Sequence, residues 1–165
     1  MNPMKFQNST VNLFLYYISK MIRWIILIVL FVINVVFTMQ LKEPKNLTEV
    51  KERYTTLIDY IKNNPVPEKF KVLKRRVLVD GYYGYGREIG YNVNKGAEIG
   101  LCLDGTANQM FHVLIHELAH STVSEYNHSQ EFWNNFRELK DLCVKIGVYT
   151  EIPEHTEFCG RYIRD

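Results

Sequence analysis

The apolar positions of this chain change period several times, and each change marks an element. From Met21 to Met39 the sequence reads MIRWIILIVLFVINVVFTM, with Arg23 and Asn34 as its strongly polar members and no polar face. A helix rising about 1.5 Å per residue covers about 28 Å over such a run, close to the hydrocarbon thickness of a bilayer. The run predicts one membrane span, with Arg23 snorkelling to the head groups, Trp24 at the interface and Asn34 carried inside. About twenty residues precede it and no small-residue cleavage pattern follows Thr38, which favours an uncleaved anchor over a signal peptide.

Beyond a short polar linker the period becomes helical. Val50, Tyr54, Leu57, Ile58 and Ile61 share one face of a packing helix that Thr48 is expected to cap and Asn63, Asn64 and Pro65 to stop. Phe70 to Asp80, rich in β-branched residues toward its end, reads as a strand region, and Ala97 to Asp104 as a second strand. Between them, Gly81 to Asn92 is a Gly/Tyr turn region. Its tyrosines 82, 83, 85 and 91 are expected to pack over the core; the alternative is an aromatic platform for bases. Helical spacing returns at Phe111, Leu114, Ile115, Leu118 and Ala119, behind the start signal Asp104-Gly105-Thr106, in a helix read between Thr106 and Glu125. It resumes at Phe132, Trp133, Phe136, Leu139, Leu142, Cys143 and Ile146, in a helix from Gln130 to Ile146 with Ser129 as cap and Gly147 as stop. The resulting organisation is a flank over residues 1–20, an anchor over 21–39, a linker over 40–47 and one folded domain over 48–165.

Composition sets bounds on this picture. A chain of 165 residues with 47% hydrophobic content buries one core, and its net charge of +2, with basic residues scattered among acids, carries no nucleic-acid footprint. No nucleic-acid partner is expected. Cys102, Cys143 and Cys159 lack CxxC spacing, so buried, reduced thiols are expected, with a Cys143–Cys159 bridge as the alternative in an oxidising compartment. Basic residues flank the span on both sides and do not orient it. Sequons at Asn8, Asn46 and Asn127 would take glycans only on a lumenal side. A glycan at Asn127 would crowd His128, which leans the domain toward the cytosol or a virion interior.

The chemistry concentrates in LIHELAHSTVSEYNHSQEFW, Leu114 to Trp133. His116 and His120 lie one turn apart on one helix face, where both imidazoles reach a single ion. Glu117 projects about 100° around the axis, placed for a water rather than for the metal. A catalytic zinc needs a third protein ligand. His128, carried back by the turn before Ser129, is the candidate, ahead of Glu125, His155 and Glu151. His112, one turn before His116, lies too far along the axis and is expected to be packed. An oxyanion donor besides zinc could be Tyr149, Arg87 or Arg161, and the sequence does not choose among them.

HELAH followed by NHSQEFW resembles the SprT and WLM group of zinc metallopeptidases, related to the minimal zincins, over roughly Ala97 to Ile146. The tail GVYTEIPEHTEFCGRYI is similar to WLM-like proteins of large DNA viruses. The resemblance implies His116, His120 and His128 as zinc ligands and Glu117 as catalytic base. It also implies an α+β zincin-like fold, in which the strand before the active-site helix edges the cleft and adds to an extended peptide substrate. The loop between His120 and His128 is longer than in many relatives, and the DNA-binding or ubiquitin-type segments of the repair proteases have no counterpart in this chain. The reading is therefore a membrane-anchored, Zn²⁺-dependent peptidase acting on protein or peptide substrates, single-pass and virion-associated, with virion or capsid proteins as candidate partners. The alternatives are a structural viral membrane or minor capsid protein that keeps the zinc fold, and a DNA-associated repair protease.

Overall fold

The structure is a computed structural model that describes residues 3–40, 42–84, 88–153 and 155–163, with side chains of the first helix described over residues 14–39. Tyr85 and Arg87 lie outside the described residues. The chain divides into two compact units, Met1–Lys42 and Glu43–Asp165.

The first unit is one helix, α1 (Pro3–Gln40), whose stretch Phe14–Met39 is long and apolar enough to cross a bilayer. Its polar side chains bond to their own backbone: Asn34 Nδ2 donates to Leu30 O at 2.8 Å and Thr38 Oγ1 to Val35 O at 2.9 Å. Such local bonds satisfy polar groups without a partner from outside the helix, as an apolar medium demands.

The second unit is a mixed α+β fold. It begins with α2 (Lys45–Asn63), which buries Leu47, Val50, Tyr54, Leu57, Ile58 and Ile61 along one stripe. The helix starts earlier than its pattern suggested. Pro44 occupies the cap position, and Thr48 sits inside the first turn with its N–H donating to Pro44 O, so the expected Thr48 cap is corrected. A proline fits there because a helix's first amides need no intrahelical acceptor.

The region read as one strand from Phe70 to Asp80 is in fact two elements. Glu68–Lys74 forms a 3-10 helix that buries Phe70 and Leu73 three residues apart, and β1 occupies Leu78–Tyr82. The i, i+3 placement of the two large apolar residues suits the three-residue period of a 3-10 turn; β-branched density prevails only after Arg76. Two further strands follow, β2 (Gly90–Val93) and β3 (Glu98–Cys102), giving a sheet of order β1-β3-β2 with β1 parallel and β2 antiparallel to β3. The strand preceding the helix that carries His116 and His120 is therefore central, not an edge. That corrects the expectation for β3 and makes β2 the edge on that side.

Helix α3 (Ala107–His120) is set by a complete capping box: Thr106 Oγ1 accepts from Gln109 N at 3.3 Å while Gln109 Oε1 accepts from Thr106 N at 2.8 Å. It stops at His120, five residues short of the Glu125 boundary read from sequence. Helix α4 (Gln130–Lys145) starts where Ser129 Oγ accepts from Phe132 N and ends before Gly147 at φ 76°, a left-handed stop that glycine adopts freely. A C-terminal hairpin, β4 (Thr156–Phe158) with β5 (Arg161–Ile163), closes the unit.

A disulfide joins Cys102, at the end of β3, to Cys159, in the hairpin turn, while Cys143 is a buried free thiol. This corrects both cysteine expectations, the fully reduced set and the Cys143–Cys159 bridge. Cys143 points into the core from α4, whereas Phe158 and Cys159 pack beside Gly105 and Asp104.

Candidate metal centre

The second unit contains a cleft of about 590 Å³, with α3 along its base and β2, the 121–129 loop, the start of α4 and the C-terminal hairpin around it. His116 and His120 face it from the last turn of α3. His128, reached through the loop, stands opposite, with its Nε2 3.0 Å from His116 Nε2. One ligand atom from each of the three imidazoles lies within 4.8 Å of the other two, and among the described residues no further His, Cys, Asp or Glu joins this cluster.

Aromatic packing fixes the rings. Phe132, fully buried at the start of α4, lies 4.9 Å from His116, 4.4 Å from His120 and 4.6 Å from His128 between ring centroids. Trp133 stacks on His128 at 5.3 Å, and Phe136 supports His116 at 5.8 Å. Helix α4 thus forms the floor on which the histidines stand, as its apolar face suggested.

Burial and mutual repulsion keep His116 and His120 neutral. Desolvation, then the neighbouring His120 and His128, lower His116 to about 3; desolvation, then His128 and Lys95, lower His120 to about 4. The neutral imidazole is the form that binds a metal. Tetrahedral zinc–nitrogen bonds place ligand atoms about 3.3 Å apart, a spacing bracketed by the 3.0 Å and 4.8 Å found here. The donor set and its geometry fit zinc.

Glu117 is 8% exposed and lines the same cleft; desolvation, then the nearby Glu88, raise its carboxyl to about 7. Strand β2 approaches α3 very closely beside it. A Cβ on Gly90 would meet Val113 Cγ1 at 2.4 Å and Glu117 Oε1 at 3.3 Å, so only glycine lets the strand lie there. Asn92 Nδ2 then donates to Glu117 O at 2.7 Å and ties strand to helix.

The other candidates are placed elsewhere or engaged. His112 is buried, its Nδ1 2.9 Å from Tyr149 Oη, and that contact occupies the tyrosine hydroxyl proposed as an oxyanion donor. Arg161 lines the cleft. Glu125 lines it too but does not join the histidine cluster. Glu151 pairs with Lys140 at 3.7 Å, and His155 packs against Tyr162. Tyr82 and Tyr91 stack on each other at 5.6 Å across β3, and Tyr91 donates to Glu98 at 2.9 Å, so these two pack on the sheet rather than form an open platform.

Sequence reasoning missed Glu88, Gly90, Asn92 and Lys95 on one wall and the hairpin residues Tyr162 and Ile163 on another. The run Gly-Tyr-Asn-Val before Asn-Lys-Gly carried a short strand-and-turn signal that was absorbed into the preceding turn region.

Comparison with known proteins places this geometry. The WLM domain model matches residues 34–161. The chain is 26% identical over 132 residues, 69% of its length and 67% of the relative's, to the uncharacterized protein R325 of Acanthamoeba polyphaga mimivirus. Among solved structures it is similar to Wss1 from Saccharomyces cerevisiae, at 24% identity and a TM-score of 0.40 over 58% of this chain and 80% of that one. It is similar also to the metallopeptidase zymogen of Pyrococcus abyssi abylysin, at 22% identity and a TM-score of 0.39 over 62% of this chain and 99% of that one. With more than three quarters of its length matched by the domain model, the chain belongs to the WLM domain family.

Proposed function

We propose that this protein is a membrane-anchored zinc metallopeptidase with His116, His120 and His128 as metal ligands and Glu117 as general base. The observation that carries the reading is the convergence of three imidazoles beside a buried glutamate in one cleft. Zinc bound there would supply Lewis-acid activation of a water and of the scissile carbonyl. The chain's own groups do the rest. Glu117 accepts the water's proton on its carboxylate and returns it to the leaving amine, a transfer favoured by a pKa near the operating pH. Arg161, on the opposite wall, is the described candidate for a second oxyanion donor.

Substrate binding is assigned to β2. Ile89, Gly90, Tyr91 and Asn92 line the cleft, and β2 is an edge of its sheet, so an extended peptide can add to it as a further strand. The apolar stretch Phe14–Met39 supports the anchor, which the sequence reading places over residues 21–39. The Cys102–Cys159 disulfide supports an oxidising environment for the domain, against the cytosolic lean drawn from the Asn127 sequon. A cluster of three ligands, without a fourth from the described residues, favours an open catalytic site over the closed site of a structural zinc protein.

Zinc content and peptide hydrolysis of the purified full-length chain test the ligand set. One zinc per wild-type chain with hydrolysis, and loss of both in His116→Ala, His120→Ala and His128→Ala, is expected. Full zinc and activity in His128→Ala would remove the third ligand from the proposal.

A further inference from the structure

The turn between β2 and β3 reaches across the cleft to the loop that carries His128, through one side chain. Lys95 Nζ donates to Val123 O at 3.0 Å, to Ser124 O, and to Glu125 O at 3.4 Å. An ammonium has three donors and no acceptor, and here three successive carbonyls of one loop face it. The same nitrogen lies 4.4 Å from the Tyr126 ring centroid, over its face. We propose that Lys95 is a positioning residue for the metal site, its ammonium gathering the 123–126 segment so that His128 is delivered opposite His116 and His120. This rests on the three-histidine reading above.

Packing does not do this work alone. After Val123 the residues from Ser124 to His128 are all exposed; His128 packs on Phe132 and Trp133 at the far end, but the stretch from Ser124 to Asn127 buries no side chain that would hold its curvature. Thr122 is fixed by Asn135 Nδ2 at 2.9 Å and Ser121 by Asn92 Nδ2 at 3.3 Å, both before the exposed stretch; Ser129 is fixed by its capping role after it. Lys95 binds the part between these anchors. It does so from a turn in which Asn94 and Lys95 adopt φ of 48° and 53°. Asparagine accepts that left-handed conformation with ease, but lysine adopts it at a cost, which is sustained where the surroundings hold the residue in place. The cation's three carbonyl acceptors are such surroundings. Lys95 therefore accounts for a long loop holding a ligand in a defined place.

The test uses the full-length protein as wild type, Lys95→Met and Lys95→Arg. Zinc affinity is measured by competition with a chromophoric chelator, the cobalt(II)-substituted protein by its visible d–d spectrum, and the metal-free proteins by thermal melting. Loss of a group that orients a metal ligand costs about 10- to 100-fold in metal affinity. Lys95→Met should weaken zinc by that factor and alter the cobalt spectrum while metal-free melting stays at the wild-type midpoint, and Lys95→Arg should recover most of the affinity. Wild-type zinc affinity and cobalt spectrum in Lys95→Met would overturn the proposal, as would weakening matched by a fall in metal-free melting and not relieved by arginine. Failure of the wild type itself to bind zinc would instead overturn the metal site.

Discussion

Replacing Phe132 by alanine removes the ring on which all three histidines rest. The side chain is fully buried, with His116, His120 and His128 within 4.9 Å of its centroid, Trp133 at 5.1 Å and Phe136 stacked at 6.4 Å. Truncating a buried phenylalanine costs about 3–5 kcal/mol, the transfer of the lost ring plus the cavity it leaves. The upper part of that range is expected here, because the surrounding rings belong to two helices and a loop that cannot all move inward together. Against a typical domain stability of about 5–15 kcal/mol, a loss near 4 kcal/mol is roughly a quarter or more of the total. Urea unfolding of the metal-free protein, followed by tryptophan fluorescence and compared by transition midpoint, reads it directly. Phe132→Leu, which keeps most of the apolar volume, should lose much less. A loss below about 1 kcal/mol in Phe132→Ala would refute the reasoning, since it would mean that the floor of the site is not a packed core.

Other expectations concern titration and thiols. The raised pKa of Glu117, about 7 when folded against an ordinary value of 4.5, contributes stability that is present below pH 4.5 and lost as pH rises through 7. The lowered His116 and His120 act oppositely, removing stability as pH falls below 6.5, so the difference between wild type and Glu117→Gln isolates the carboxylate. Metal-free Glu117→Gln should gain about 2.5 kcal/mol on wild type between pH 5 and pH 8 in urea titrations, and a difference that does not change with pH would contradict the assigned burial. Cys143 is fully buried and its thiol pKa is pushed far up by desolvation, so alkylation of the native protein should spare it. Peptide mapping should find Cys102 linked to Cys159; rapid labelling of Cys143, or free Cys102, would contradict the packing.

Much of this architecture is written locally in the chain. The capping box needs only Thr106 and Gln109, the α4 start only Ser129 before an apolar face, and its stop only Gly147, so the start of α3 and both ends of α4 were legible, while the end of α3 at His120 was not. The three histidines were legible for the same reason: two share a helix turn, and the third is presented by the cap that begins the next helix. What stayed hidden depends on partners distant in sequence. Whether β3 is an edge or a centre depends on β1 pairing with it across the whole of β2. The disulfide partner of Cys102 lies 57 residues away. The roles of Gly90 and Lys95 appear only when β2 and its turn are laid against α3 and the following loop. The 3-10 helix was misread because Phe70 and Leu73 carry the same residue types as a strand, and only their spacing of three distinguishes them.

The central claim is most directly tested by measuring zinc content and peptide hydrolysis together on the purified full-length protein, as wild type and Glu117→Gln. One zinc per chain is expected in both, with hydrolysis in the wild type and its loss in the variant. Hydrolysis retained by Glu117→Gln, or a zinc-loaded wild type that cleaves nothing across a broad peptide library, would contradict it.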